Sequence, residues 1–323
     1  MPTRGSIVMN RREFLGVAAI GVATTTFSSS GFTQDTAAML PVIDTHQHLW
    51  DLSKFRLPWL KKGDPLDASF TPKDYAQATE GLNVVKAVYM EVDVAPEQQQ
   101  QEADFIIALC ESGSTPTCAA VVSGRPGHDE FADYAKQFKG HKYVKGIRRV
   151  LHFDGTPPGT CLKPEFVRSV QLLGDLGLSF DLCIRWAELP DMMKLVDLCP
   201  GTRFILDHCG NPRADFTEAD KATWSNNLKK MAERKNVVCK ISGFLANGWK
   251  PGQWKPADIA WVVNGTIAAF GWDRVMFAGD WPVVTLAGSF KEWLTAVREI
   301  IADQPEANQR KLLHDNAAAF YGI

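Results

Sequence analysis

Short apolar runs recur along the chain and are separated by longer stretches of mixed polarity. The runs lie at residues 41–49, 84–92, 117–123, 144–151, 179–185, 203–208, 237–242 and 275–280. Most are continuous rather than alternating, as expected of strands buried on both faces. Between them, residues 97–112, 129–139, 164–176 and 187–198 carry apolar side chains at spacings of three and four, which predicts amphipathic helices. Eight strands alternating with helices predict one parallel sheet covered by helices. About 290 residues suit a (β/α)8 barrel with elaborated βα loops. An open doubly wound sheet is the other arrangement of such units, but no GxGxxG follows the first strand. Residues 39–323 are expected to form this single domain.

The first run changes the picture from fold to chemistry. It reads Val42-Ile43-Asp44-Thr45-His46-Gln47-His48, so Asp44, His46 and His48 fall on every second position. A strand has a side-chain period of two, and these three are therefore expected on one face, the interior of a closed barrel. The histidines would stand at the C-terminal end, where barrel enzymes place their reactive groups. A pattern this short also arises by chance on surfaces, so the other strand ends decide. They carry Glu91 and Asp93, Gly146-Ile147-Arg148-Arg149 with His152 beyond, Asp181 and Arg185, Leu206-Asp207-His208-Cys209-Gly210, Lys240 and Ser242, and Gly279-Asp280-Trp281-Pro282. Buried imidazoles and carboxylates need partners, and such groups gathered at one end of a barrel partner each other. Arg148, Glu91, His152, Asp181 and Arg185 are candidate substrate contacts.

Composition narrows the classes. The 323 residues are 45% hydrophobic and 22% charged with net charge −2, which gives no basic surface for nucleic acid. Seven dispersed cysteines form no CxxC pair and read as buried thiols. The N-terminus stands apart: Asn10-Arg11-Arg12-Glu13-Phe14-Leu15 precedes an uncharged stretch from Gly16 to Phe27, a pattern resembling a twin-arginine export signal. Residues 1–38 are thus expected to be a cleavable signal and flexible N-terminus. The expectation is a periplasmic enzyme delivered by the twin-arginine translocase, with no membrane contact in its mature form and its oligomeric state open. Residues 50–73 and 244–256 are rich in Pro, Gly and Trp and follow the first and seventh strands. Each is either a wall over the barrel mouth or an ordinary packed loop.

Taken together, HxH on the first strand, LDHCG on the sixth, KISGF on the seventh and AGDWPV on the eighth resemble the amidohydrolase superfamily. GIRRVLH and the C-terminal His314-Asp315-Asn316-Ala317-Ala318-Ala319-Phe320-Tyr321-Gly322 resemble its branch of sugar-lactone and pyrone-dicarboxylate lactonases. The resemblance covers residues 41 to 323. It implies that His46, His48, His208 and Asp280 are catalytic, and that Arg148 holds a substrate carboxylate or ring oxygen. It also implies either no required cofactor or one divalent ion, zinc above others, on His46, His48 and Asp280. A binuclear centre is not expected, because its bridging ligand and second downstream histidine are missing.

The chemistry implied is opening of a lactone, a small-molecule substrate, by water. Asp280 would be the general base, and imidazoles or a metal would polarise the carbonyl. Two other readings stay open. One is metal-dependent, nonoxidative decarboxylation of an aromatic or unsaturated acid, marked by release of carbon dioxide. The other is a non-catalytic ligand-binding protein on the same scaffold, which would bind without turnover.

Overall fold

The computed structural model describes residues 39–153 and 155–323; the expected export signal lies outside the described residues. Eight strands, β1 (Val42–Gln47), β2 (Val84–Met90), β3 (Thr117–Ser123), β4 (Val144–Val150), β5 (Ser179–Cys183), β6 (Arg203–Leu206), β7 (Val237–Ile241) and β8 (Val275–Phe277), pair in parallel in chain order. The first and last meet where Gln47 bridges Trp281, His48 N–H donates to Trp281 O at 2.8 Å and Thr45 Oγ1 donates to Phe277 O at 2.8 Å. The result is the expected (β/α)8 barrel. Its outer layer is α1 (Pro72–Ala78), α2 (Gln99–Ser112), α3 (Phe131–Lys136), α4 (Pro164–Asp175), α5 (Leu189–Leu198), α6 (Glu218–Ala232), α7 (Pro256–Phe270) and α8 (Phe290–Ile300). Thr217 with Asp220 and Ser289 with Glu292 form capping boxes that begin α6 and α8, satisfying donors the first helical turn leaves free.

Strand parity divides the interior. Ala87, Tyr89, Ala120, Val122, Phe204 and Leu206 face the helices, whereas Val88, Met90, Ala119, Val121, Ile205 and Met276 form a small core inside the barrel. After α9 (Glu306–Arg310), Ala317 and Tyr321 of the last helix, α10 (Asn316–Tyr321), join that inner core from the end where the strands start. Further along the strands the inward positions turn charged: Arg148, Asp181, Asp207 and Lys240 are all buried. The apolar end is plugged and the charged end opens upward, so every polar demand of the interior falls on one mouth.

The face shared by Asp44, His46 and His48 needs correction. Pairing steps from Asp44 with Ala87 to Gln47 with Tyr89, three residues on β1 against two on β2. Such a bulge reverses side-chain parity. The histidines turn inward, while Asp44 Oδ1 accepts from the His46 N–H at 3.0 Å and the Gly279 N–H at 2.6 Å, and Oδ2 accepts from the Tyr75 hydroxyl at 2.8 Å. Asp44 is thus a brace across the β1–β8 seam, tied to α1. Burial raises its pKa, partly offset by these three donors. Asp44→Ala is expected to cost about 3 kcal/mol or more, since each buried donor left unpaired costs about 1–3 kcal/mol. Asp44→Asn retains the oxygen that meets both N–H groups and should lose less than half of that, as chemical denaturation of the two variants would measure.

Candidate active site

Five side chains from four places in the chain meet inside the mouth. Asp280 Oδ1 lies 3.6 Å from His46 Nε2 and 3.4 Å from His48 Nε2. The His46 ring is centred 4.8 Å from that of His48 and 4.5 Å from that of His208. Arg148 Nη1 donates to His46 Nε2 at 3.2 Å. Because a guanidinium only donates, His46 Nε2 is the acceptor, and its proton resides on Nδ1, which faces Asp207 Oδ1 at 3.5 Å. His48 Nδ1 donates to Met90 O at 3.0 Å, leaving its Nε2 bare and turned to Asp280.

Backbone strain sets these groups. After β6 the chain enters a tight turn in which His208 and Cys209 both have φ 54°, and Asp280 after β8 has φ 52°. Such angles are unfavourable for residues with a Cβ and persist where surroundings over-determine them. Here the turn is pinned by Trp224 Nε1, which donates to Cys209 O at 2.8 Å, and by Ser242 Oγ, 2.9 Å from His208 Nδ1. Gly243, at φ +65°, lets the imidazole lie close: a Cβ there would fall 2.0 Å from His208 Nδ1.

Beneath the histidines runs a chain of buried charges. Arg148 Nε donates to Glu91 Oε1 at 2.6 Å and Nη2 to Glu91 O at 2.7 Å. Asp207 lies between Arg148 Nη1 at 3.6 Å and Lys240 Nζ at 3.5 Å, and Lys240 donates to Asp181 Oδ2 at 2.6 Å. Burial works against the Arg148 and Lys240 charges, but Glu91 and Asp181 outweigh it and hold both above their usual ranges. Burial likewise opposes ionised Asp207, yet Lys240 and His46 hold its carboxyl well below the usual range. Burial lowers His48 to about 3 and His46 and His208 below their usual value. The imidazoles are therefore neutral at physiological pH. Burial raises Asp280 to about 6, against the pull of His208 and Arg148.

Above this layer is a cavity of about 240 Å³. That is smaller than the roughly 300–1,000 Å³ common for drug-sized ligands, and suits a small substrate. His48, Arg148, His152, His208 and Asp280 line it, while His46 lies just below. Trp50, Trp59 and Leu66 from residues 50–73 and Asn247 from residues 244–256 also line it, so both irregular segments wall the mouth. Glu91, Asp181 and Arg185 are not among the lining side chains. Glu91 is engaged by Arg148 and by the Asp93 N–H, Asp181 by Lys240, and Arg185 by Phe153 O, Thr156 O and Glu188. Asp207 and Ser242 are among the polar residues that the sequence shows at strand ends, but neither is marked there as a site residue; Cys183 and Trp59 carry no such signal. Among the described residues, two groups could hold an ion: His46, His48 and Asp280, or His46, Asp207 and His208. The second is the poorer, because Arg148 and Lys240 already face Asp207.

A family described as amidohydrolase matches residues 43–323. The chain belongs to the amidohydrolase family. Proteins similar to it include an L-fucono-1,5-lactonase of Burkholderia multivorans, 28% identical over 86% of this chain and 94% of that protein. An L-rhamnono-gamma-lactonase of Scheffersomyces stipitis is 23% identical over 87% and 98% of the two chains. Among solved structures, an amidohydrolase from Burkholderia multivorans with bound zinc superposes with a TM-score of 0.78 at 23% identity, covering 88% of this chain and 99% of that one. This amidohydrolase is accordingly a hydrolase on a (β/α)8 scaffold.

Gly243→Ala tests how the site is built. The added methyl must displace the His208 ring and adopt a left-handed backbone, together about 2–5 kcal/mol. A crystal structure of the variant should show the imidazole moved from Ser242; an unmoved ring would refute the role given to Gly243.

Proposed function

We propose that this amidohydrolase opens an uncharged, hydroxylated lactone of the sugar-lactone class by water attack, with Asp280 as the general base. The observation that carries the reading is the convergence of Asp280 Oδ1 with His46 Nε2 and His48 Nε2, buried yet at the floor of a small cavity. Asp280 takes the proton of the attacking water and returns it to the ring oxygen as the alkoxide leaves. His208 and His152 line the same cavity, where a developing oxyanion needs donors. The names of the lactonase relatives support the reaction class.

Arg148 argues for an uncharged substrate. The expected role, a fork for a substrate carboxylate, requires free donors. Three of its five N–H groups are engaged, Nε and Nη2 by Glu91 and Nη1 by His46, and Asp207 Oδ2 faces Nη1 at 3.6 Å, so no pair of donors stands free. Arg149, the next residue, is paired with Asp93 at 2.8 Å. The walls instead offer Trp50, Trp59 and Phe153 for the apolar face of a sugar ring, and Asn211 and Asn247 for its hydroxyls.

The residues also fit one divalent ion. Glu91, Asp181, Asp207 and Asp280 are four buried carboxylates against the two buried cations Arg148 and Lys240. Ligand atoms of a tetrahedral ion with bonds of 2.0–2.1 Å lie roughly 3.3 Å apart, close to the 3.4 and 3.6 Å found between Asp280 and the histidines. His46, His48 and Asp280 would hold it, with Arg148 releasing His46 Nε2 while keeping Glu91. Such an ion would supply Lewis-acid polarisation and a more acidic bound water.

Three outcomes follow. A panel of L-fucono-, L-rhamnono- and pyrone-dicarboxylate lactones, with and without chelator, should show turnover of the sugar lactones at least tenfold above the dicarboxylate. Preference for the dicarboxylate would refute the neutral-substrate reading, and carbon dioxide release from aromatic acids would favour decarboxylation. Asp280→Asn should lower kcat by roughly 10²–10⁴-fold, the usual worth of a general base. Its melting temperature should not fall; kcat within threefold of wild type would make Asp280 structural. In chelator-treated enzyme, kcat/KM should rise as pH passes about 6, where buried Asp280 ionises. Because its folded pKa is raised, its contribution to stability is present below about pH 3.8 and is lost as pH rises through about 6. A bound divalent ion would move both limbs to lower pH, and a flat profile would exclude Asp280 as the base.

A further inference from the structure

We propose that Lys240 is a positioning residue for His46, acting through Asp207. Lys240 is fully buried on β7, on the inward parity, below the cavity and 6.0 Å from the Tyr321 ring that plugs the barrel. Its ammonium donates to Asp181 Oδ2 at 2.6 Å and faces Asp207 Oδ1 at 3.5 Å. The same Asp207 oxygen faces His46 Nδ1 at 3.5 Å, while Oδ2 faces Arg148 Nη1 at 3.6 Å. Neither Asp207 oxygen makes a hydrogen bond to protein, so the charges of Arg148 and Lys240, and not a directed bond, hold this carboxylate. Inside a low-dielectric barrel such attraction is strong and long in reach.

The consequence falls on His46. Arg148 requires His46 Nε2 to accept, which places the proton on Nδ1, and Asp207 Oδ1 is the group that faces that proton. A carboxylate behind a histidine fixes its tautomer and ring orientation. With Lys240 removed, Arg148 is the cation left beside Asp207, and it draws the carboxylate by its Oδ2 toward Nη1 and away from His46. The imidazole then loses the partner that keeps Nε2 pointed at Asp280. The competing account is that Lys240 only balances Asp181, with which it makes its shorter contact. The two accounts differ in what a charge-balanced removal does.

The inference rests on the reading that His46 serves the catalytic site, but its test needs no lactone. Zinc affinity is measured by competition with a chromophoric chelator on wild type, Lys240→Met and Lys240→Met/Asp181→Leu. The single variant leaves Asp181 buried without its cation and should be destabilised. The double variant replaces the pair by apolar side chains and should regain the melting temperature, since such replacement is often neutral or stabilising. Its zinc affinity should stay roughly 10–100-fold weaker, the usual effect of losing the group behind a metal-ligating histidine. A double variant with wild-type affinity would overturn the proposal and leave Lys240 as the counter-ion of Asp181. A second readout is the ¹⁵N spectrum of histidine-labelled, chelator-treated protein. Wild-type His46 should carry its proton on Nδ1, and in the double variant that Nδ1 resonance should shift as Asp207 withdraws from it. A proton on Nε2 in the wild type, or no change in the variant, overturns the proposal even where zinc binding is too weak to measure. Lactone turnover absent from a protein that shows these changes would count against the proposed reaction alone.

Discussion

The arrangement depends on ion pairing inside a closed sheet. Arg148 and Lys240 are buried, and their charges are balanced by Glu91 and Asp181 at 2.6 Å. Burying one such charge unpaired costs several kcal/mol, so each pair is an all-or-none element of the fold. Asp207 links the two pairs, since it faces both cations. A single carboxylate thus ties β4, β6 and β7 together beneath the histidines. Rigidity at the mouth is a consequence of this electrostatic layer as much as of apolar packing below it.

The seam between β1 and β8 is where the sheet would otherwise be open. β8 is short, and the pairing that closes the barrel runs beyond it to Trp281. Asp44 reinforces the closure by accepting from Gly279 and His46 at once. The same contacts define where His46 and Asp280 begin, on opposite sides of the seam. Closure and site assembly are therefore one event: a chain that failed to join its ends would also fail to bring Asp280 to the histidines. This explains why a bulge, usually a local irregularity, sits in the strand that carries the HxH pair.

All eight strands could be read from the sequence, because runs buried on both faces stand out against amphipathic helices. The ends were less readable. The runs at 203–208 and 275–280 continue as apolar or mixed sequence, but the strands stop at Leu206 and Phe277 because His208 and Asp280 take positive φ. Nothing in residue type announces a left-handed histidine or aspartate. Asp44 was misplaced for a similar reason: periodicity assumes a regular strand, and one extra residue reverses it. The histidines, Arg148 and Asp280 were visible as ionisable groups at strand ends. Which of the strand-end charges pair was not, since Lys240 finds Asp181 across 59 residues of chain and Arg148 finds Glu91 across 57.

Arg148 shows why a motif can place a residue correctly and still leave its role open. The GIRR segment puts the guanidinium at the cavity, as its position on β4 requires. What it can bind there depends on how many of its donors the interior has already claimed. Glu91 accepts through both its side chain and its backbone, and His46 and Asp207 face Nη1. A guanidinium engaged on three sides acts as part of the wall. It lends positive potential to the floor of the cavity while offering little directed hydrogen bonding to a ligand. In that setting a substrate that brings its own carboxylate would have to displace Glu91 or stay unpaired, and an uncharged ring faces neither cost. Burial inside the barrel holds the arginine in place and also removes it from the competition for substrate charge.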